Sequence, residues 1–446
     1  MKVLVANRGE IAVRIIRACR ELGFQTVAVY STADRNALHT MFADESVCIG
    51  PPQVDKSYLN VKNIIAACET TGASALHPGF GFLSENASFA NCCKKCNINF
   101  IGPPSDVITL LGDKANAKET MKKAGVPVIL GSDGAVNNLD DAKKIAGKIG
   151  YPVLIKAAAG GGGRGIRRVD NENELEHQIT AAKEESKKFF GDDSIYIEKL
   201  LLNPKHIEFQ ILADSFGNVI HLGERDCSLQ RRRQKVLEET PSPIMTPQLR
   251  EKMGNAAVKA AKASGYVNAG TIEFLVDKNM DFYFMEMNTR IQVEHPITEA
   301  VTGVDLVKQQ LKIAAGEKLS FVQDDIKLSG HSIECRINAE TPDKDFRPSC
   351  GKISSLNLPG GNGVRIDSAI YQGYDIPPFY DNMLAKLIVK APTRHEAIMK
   401  MKRALSEFIV EGVDTNIDFQ LNLIKNDFFE NGEYDNNTVD NLQLSQ

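Results

Sequence analysis

Glu286-Met-Asn-Thr-Arg-Ile-Gln-Val-Glu-His-Pro296 sets more chemistry-capable side chains in close order than any other stretch of this chain. It follows Phe282-Tyr283-Phe284-Met285, an apolar-aromatic run that predicts a strand. Strand side chains alternate, so Glu286, Asn288, Arg290 and Gln292 fall on one face while the strand lasts. A carboxylate and an amide oxygen suit Mg²⁺, which keeps part of its water shell and shares the rest with substrate phosphates. A guanidinium two residues on suits a small planar oxyanion. An edge strand with a solvated polar face is the bland alternative, but the row lies between apolar segments and stops at Pro296.

A second carboxylate sits in Ala269-Gly-Thr-Ile-Glu-Phe-Leu-Val276, which also reads as a strand, with Glu273 alternating against Ile272 and Phe274. A turn at Asp277 to Met280 makes the two segments an antiparallel pair, with Glu273 opposite or diagonal to Glu286. Two carboxylates on one half-buried face repel, and a bound cation is the favoured remedy. A Lys or Arg partner is the alternative, and Arg290 could partly serve. Gly160-Gly-Gly-Gly-Arg-Gly165, with Gly161, Gly162 and Gly163 inside it, lies between the strands 151–157 and 166–169. Such a loop can fold over phosphates and donate backbone N–H groups where any side chain would block approach. Lys156 is placed to meet the same phosphates, and Glu198-Lys199 closes a later strand with polar groups for a base. Arg225 to Glu239 is the densest cationic run; its flanking acids favour anionic small substrates over nucleic acid.

The elements that must position these groups begin with alternating strands and helices. Val3–Ala6, Thr26–Tyr30, Ala73–Leu76 and Asn99–Gly102 read as strands, with helices at 10–22, 61–69 and 89–96. This is a doubly wound α/β domain, whose ligand sites lie at the carboxyl ends of its strands; His77-Pro-Gly-Phe-Gly-Phe82 is such an end. Asn7-Arg-Gly-Glu10 is not the glycine fingerprint of a dinucleotide fold, so an NAD enzyme is a poor reading. The expected division is 1–112 for the α/β domain, 113–200 for linker helices and a small lid domain, and 201–446 for a larger α+β domain. Length (446 residues), 43% hydrophobic and 25% charged content describe an ordinary globular chain of two or three domains. A net charge of −4 argues against a dedicated nucleic-acid binder, and no apolar stretch is long enough to span a membrane, so a cytoplasmic location is expected. Nine scattered cysteines, with only Cys92, Cys93 and Cys96 clustered, lack the fourth ligand of a structural zinc site.

Together these residues support an ATP- and Mg²⁺-dependent ligase acting on a small acid. The chain resembles the biotin carboxylase family, the ATP-grasp component of acetyl-CoA carboxylases, from Val3-Leu-Val-Ala-Asn-Arg-Gly-Glu-Ile-Ala12 to about Asn422. The carrying motifs are His77 to Asn86, Gly112-Asp-Lys114, Glu224-Arg-Asp-Cys-Ser228, Gln234-Lys235, Met287 to Pro296 and Glu334-Cys-Arg-Ile-Asn-Ala-Glu340. The resemblance implies ATP contacts at Lys114, Lys156, the glycine loop, Glu198, Lys199, Leu201, His206 and Gln230, with Glu273 and Glu286 also facing the nucleotide. It implies Mg²⁺ or Mn²⁺ on Glu273, Glu286 and Asn288. Bicarbonate would lie on Lys235, Arg290, Gln292, Val293 and Glu294, with Glu294 as base and Arg336 stabilising the biotin enolate beside Phe80. It further implies a homodimer working with a biotin carboxyl carrier protein and carboxyltransferase subunits. The sequence departs from the family pattern at Arg233 (commonly His), Phe80 (usually Tyr), Ala159 (usually Gly) and Asn362 (often aromatic). Met399-Lys400-Met401 imitates a biotin attachment motif, but the apolar spacing around it predicts a core-facing helix, so biotin must arrive on another chain. Two competing readings are a carboxylate–amine ligase of the same superfamily and an inactive regulatory or assembly protein.

Overall fold

Five short strands, β1 (Lys2–Val5), β2 (Gln25–Ser31), β3 (Glu45–Gly50), β4 (Ala75–His77) and β5 (Asn99–Phe100), pair in parallel in the order β3-β2-β1-β4-β5. The computed structural model describes residues 1–132, 134–136, 138–157, 166–190 and 193–444; the glycine run 160–165 and Ala159 lie outside them. The helix Gly9–Glu21 lays Ile11, Ile15, Ile16 and Cys19 on this sheet, as its spacing predicts. Each fully buried aliphatic side chain of this kind contributes roughly 1.5–3 kcal/mol. Strand β3 is invisible to apolar patterning because only Ile49 in it is buried; it is a polar sheet edge. Asn7 donates to the carbonyls of Pro78 and Phe80, fastening the His77–Phe82 loop to the first helix. Gly79 has φ +63°, and a Cβ there would stand 2.8 Å from the Asn7 amide nitrogen, so the contact requires glycine.

A small antiparallel sheet, β6 (Val153–Ala157), β7 (Ile166–Val169) and β8 (Ile195–Lys199), runs in the order β7-β6-β8. Val153, Ile155, Ile195 and Ile197 pack against the helices Leu139–Ile149 and Glu172–Phe190. Alternation therefore turns Lys156 and Glu198 to the opposite face.

Among the described residues, the rest of the chain builds three two-stranded sheets and one eight-stranded antiparallel sheet. Its strands are β9 (Lys205–Ala213), β10 (Val219–Arg231), β11 (Gln234–Thr240), β12 (Asn268–Val276), β13 (Phe282–Asn288), β14 (His331–Asn338), Val364–Ser368 and Met383–Ala391. The order is β13-β12-β9-β10-β11-β14, then 383–391, then 364–368. One face of β9 buries Ile207, Phe209 and Ile211 with residues of the helix Pro247–Ala263. The other face carries His206, Glu208 and Gln210, also buried. Buried polar groups need partners, and those partners make the site. The Met399-Lys400-Met401 segment lies in the helix Arg394–Glu407, with Ala397, Ile398, Met401, Ala404 and Leu405 buried, so the core-facing expectation holds. Cysteines 92, 93 and 96 are free thiols.

Candidate active site

Cross-strand register assembles the polar face. Arg225 and Glu273 both stand opposite Glu208, on the two strands that flank β9. The Arg225 guanidinium is fully buried and spends its donors on protein: Nε to Glu208 at 2.5 Å, Nη1 to Gln210 at 2.8 Å and Thr298 at 2.9 Å, Nη2 to Gln292 at 2.7 Å and Thr271 at 3.2 Å. It is a structural hub, which corrects the expectation that the whole run from Arg225 offers charge to a substrate. Arg231 and Arg232 are likewise engaged, both with Asp345, and Arg231 stacks on Phe346 at 3.8 Å. Arg232 and Arg233 form the two-residue turn between β10 and β11 with φ of +47° and +68°, a conformation that Asn-Gly usually fills. Asp345 anchors Arg232 at the surface, and Arg233 lines the cleft.

Lys235 stands at the centre. Its ammonium donates to Glu208 at 2.6 Å, Glu294 at 2.6 Å and Glu273 at 3.0 Å. Burial opposes its charge, but the three carboxylates outweigh burial and raise its pKa well above the ordinary lysine value. Glu294, almost fully buried at the N-terminus of the helix His295–Thr302, is shared between Lys235 and Arg336, whose Nη2 lies 3.0 Å from its other oxygen. Burial again opposes ionisation, yet Lys235, Arg336 and Arg225 hold the Glu294 carboxyl well below the usual range. Proximity in sequence points instead to Arg290 as the cation on Glu294. The structure corrects that expectation, because the Arg290 guanidinium turns to Glu85 at 2.9 Å and to the Asn288 oxygen at 3.1 Å. Arg336 is fixed by Glu238, its Nε 2.7 Å from the carboxylate, and burial pushes Glu238 up to about 7 despite that contact.

Glu273 and Glu286 are direct cross-strand partners on β12 and β13, as the turn between them predicts. The cation on Glu273 is Lys235, not Arg290, and the same Glu273 oxygen accepts from Asn288 at 2.8 Å and Gln292 at 2.7 Å. His206 Nε2 lies 3.2 Å from the other oxygen, and Gln230 meets His206 Nδ1 at 2.9 Å. Burial opposes ionisation of Glu273, but Lys235 and His206 prevail and keep it well below the carboxylate range. Glu286 is half-exposed, with Lys114 at 3.4 Å. Two carboxylates and an amide oxygen facing the cleft form a hard, oxygen-donor set that fits Mg²⁺. His206, Glu208 and Glu273 also bring ligand atoms within 4.8 Å of one another, a grouping that spacing alone does not show.

These residues line a cleft of about 2290 Å³ between the small and the large sheet. Lys114, Lys156, Glu198, His206, Gln230, Lys235, Glu273, Glu286, Asn288, Arg290, Gln292, Val293, Glu294 and Arg336 all reach it. Lys156 and Lys118 both pair with Glu198. Three expected residues do not line it. Lys199 points its ammonium at the carbonyls of Gly150 and Tyr151, 2.9 Å each, because strand alternation puts it opposite Glu198. Leu201 is half-buried outside the cleft lining. Phe80 packs against the apolar cluster of the N-terminal sheet. Gly161, Gly162 and Gly163 lie outside the described residues. Glu208 and Lys118 join the site without any motif to mark them, and Glu85 and Glu238 join it from within quoted segments that gave them no role; the alternation Ile207-Glu208-Phe209-Gln210 is the available signal for Glu208.

A doubly wound domain, a small antiparallel sheet and a long antiparallel sheet, closing on a cleft of lysines and paired carboxylates, define an ATP-dependent ligase with the ATP-grasp fold. Family models match over residues 1–108 (biotin carboxylase, N-terminal domain), 113–322 (carbamoyl-phosphate synthase L chain, ATP binding domain) and 334–441 (biotin carboxylase C-terminal domain). Biotin carboxylase 1 of Bacillus subtilis is 57% identical over 97% of this chain and 96% of its own length. A pyruvate carboxylase subunit from Methanothermobacter thermautotrophicus is 58% identical over 98% of this chain and 89% of its own. The biotin carboxylase domain dimer of Hydrogenobacter thermophilus 2-oxoglutarate carboxylase, solved with MgADP, ADP and bicarbonate, superposes with a TM-score of 0.91 at 53% identity, covering 99% of this chain and 97% of that one. The chain belongs to the biotin carboxylase family and is an ATP-dependent carboxylase of the ligase class.

Proposed function

We propose that the chain carboxylates biotin presented by a separate carrier protein, consuming ATP and bicarbonate. The observation that carries this reading is the Lys235 ammonium held among Glu208, Glu273 and Glu294, with Glu294 joined to Arg336. Lys235, Arg290, Gln292 and the Val293 backbone receive bicarbonate, in keeping with the bicarbonate present in the Hydrogenobacter structure. When the anion draws Lys235 towards itself, Glu294 loses its strongest cation and gains basicity, so it can take the bicarbonate proton. The bicarbonate oxygen attacks the γ-phosphorus of ATP, ADP leaves, and carboxyphosphate results. Lys114, Lys156, Glu198, His206 and Gln230 hold the nucleotide, and the backbone of the Lys199–Leu201 segment and the glycine loop are assigned to it by resemblance. Glu273, Glu286 and Asn288 would hold Mg²⁺ or Mn²⁺, whose charge neutralises the phosphates when bound. Carboxyphosphate then yields CO₂ and phosphate, the phosphate takes the N1′ proton of biotin, and Arg336 stabilises the ureido oxyanion. Phe80, partly buried against the apolar cluster of the N-terminal domain, is assigned to biotin by resemblance alone.

We assign the reaction to the first half of an acetyl-CoA carboxylase, with carboxyltransferase subunits forming malonyl-CoA in the cytoplasm, in line with relatives named simply biotin carboxylase. A pyruvate-carboxylating partner is the second reading, favoured by the 58% identical relative from Methanothermobacter. Homodimerisation is supported by the dimeric Hydrogenobacter relative. The test is ATP hydrolysis by the purified chain with and without bicarbonate and free biotin. Hydrolysis that ignores bicarbonate would overturn the proposal; carboxylation of a carrier followed by transfer to acetyl-CoA or pyruvate distinguishes the two acceptor readings.

A further inference from the structure

Directly beneath Glu294 lies a lysine that the mechanism leaves unused. Lys386, in the middle of the strand Met383–Ala391, is fully buried. Strand register sets it beside Arg336 on one side and Asp367 on the other. Its ammonium donates to the backbone carbonyl of Val293 at 3.0 Å and forms an ion pair with Glu10 at 3.1 Å; Asp367 follows at 3.9 Å. The Val293 carbonyl belongs to the peptide that joins Val293 to Glu294. An ammonium on that oxygen therefore fixes the plane from which the Glu294 side chain departs. Glu10 closes the Asn7-Arg8-Gly9-Glu10 motif, which the proposed chemistry also leaves without a role. It sits in the first turn of the helix Gly9–Glu21, packed on this strand.

We infer that Lys386, held by Glu10, is a positioning residue that orients the Val293–Glu294 peptide for bicarbonate. The inference rests on the reading of Glu294 as the base. A buried ammonium carries a desolvation cost that an apolar residue of similar length avoids. Here that charge is directed at one backbone oxygen next to the reacting carboxylate, and misplacing a reacting group by about 1 Å can cost about 10²-fold in rate.

The test measures bicarbonate-dependent ATP cleavage by the full chain for Lys386→Met, Glu10→Gln and the double variant, beside urea denaturation midpoints. Lys386→Met leaves the buried Glu10 carboxylate without its cation and loses stability; adding Glu10→Gln neutralises that carboxylate and restores it. The positioning role predicts a fall of about tenfold or more in kcat/KM for bicarbonate, by the misplacement argument, in Lys386→Met. That fall persists in the stable double variant, with KM for ATP unchanged in both. Recovery of bicarbonate kcat/KM together with stability in the double variant would show that Lys386 only neutralises Glu10, and would overturn the assignment. Glu10→Gln alone keeps the ammonium and should raise the bicarbonate KM less than Lys386→Met; an unchanged KM would remove Glu10 from the argument. Glu294→Gln is the control. If it retains bicarbonate-dependent cleavage, the reading of Glu294 fails; if it is inactive while the Lys386 variants work normally, only the present inference fails.

Discussion

Replacing Lys235 with alanine removes a cation shared by Glu208, Glu273 and Glu294 at 2.6 to 3.0 Å. Breaking a buried ion pair by deleting one partner costs about 3–5 kcal/mol. The Lys235 side chain is 13% exposed and opens on the cleft, so water can reach the abandoned carboxylates. The expected loss is therefore at the lower end, about 3 kcal/mol. Catalysis suffers more: a charge-assisted donor to a developing anion is worth about 10²–10³ in rate. The pH dependence gives a signed check. In the parent chain Glu273 and Glu294 lie below the ordinary glutamate value of 4.5, so the stability they contribute is present above it and is lost only as pH falls into the acid region. Without Lys235 both carboxyls lose their strongest cation and shift upward, while Arg336 and Arg225 still favour ionised Glu294 and His206 still favours ionised Glu273. The stability that their depressed pKa values contribute above 4.5 therefore shrinks in the variant, so the gap in stability between parent and variant should narrow as the pH falls below that value. Urea denaturation at several pH values and bicarbonate-dependent ATP cleavage at saturating ATP measure both effects. Near-parental turnover at saturating bicarbonate, or a stability gap that widens as the pH falls below 4.5, would refute the reasoning.

Two further outcomes are expected. Glu273→Gln and Glu286→Gln should each raise the Mg²⁺ concentration needed for half-maximal ATP cleavage, and Glu273→Gln should also lower stability because its carboxylate accepts from three donors; an unchanged Mg²⁺ titration would remove that residue from the ligand set. Glu85→Gln should release Arg290 from a half-exposed ion pair worth about 1 kcal/mol or less, and so lower the bicarbonate KM by up to about fivefold. A KM that stays fixed would show that Glu85 does not compete with the anion for Arg290.

Local patterns are legible in the sequence because they obey local rules. The antiparallel pair that faces Glu273 with Glu286 follows from alternation and a short turn, and the register confirms it. The helices at 9–21 and 394–407 follow from apolar spacing. Register between distant strands is not legible. Nothing local says that β9 lies between β10 and β12, which puts Arg225 opposite Glu208 and converts an apparent substrate-binding charge into a buried hub. The same limit hides the pairing of Lys235 with Glu208, separated by 27 residues in sequence. Lys199 has a simpler cause: strand alternation alone assigns its side chain the face opposite Glu198, so only its backbone is left to serve the nucleotide contact that family resemblance implies.

In the proposed mechanism Glu294 and Arg336 divide the labour, the first serving ATP cleavage and the second carboxyl transfer. Biotin-independent, bicarbonate-dependent ATP cleavage, measured beside carboxybiotin formation for Glu294→Ala and Arg336→Ala, tests it most directly. Removing Glu294 deletes the base, so both activities should collapse. Removing Arg336 leaves Glu294 beside Lys235, with the Arg225 charge still favouring its ionised form. That variant should retain much of the ATP cleavage and lose mainly carboxyl transfer to biotin. Equal losses in both assays for both variants would rule out this division and reduce the 3.0 Å contact between them to a structural ion pair.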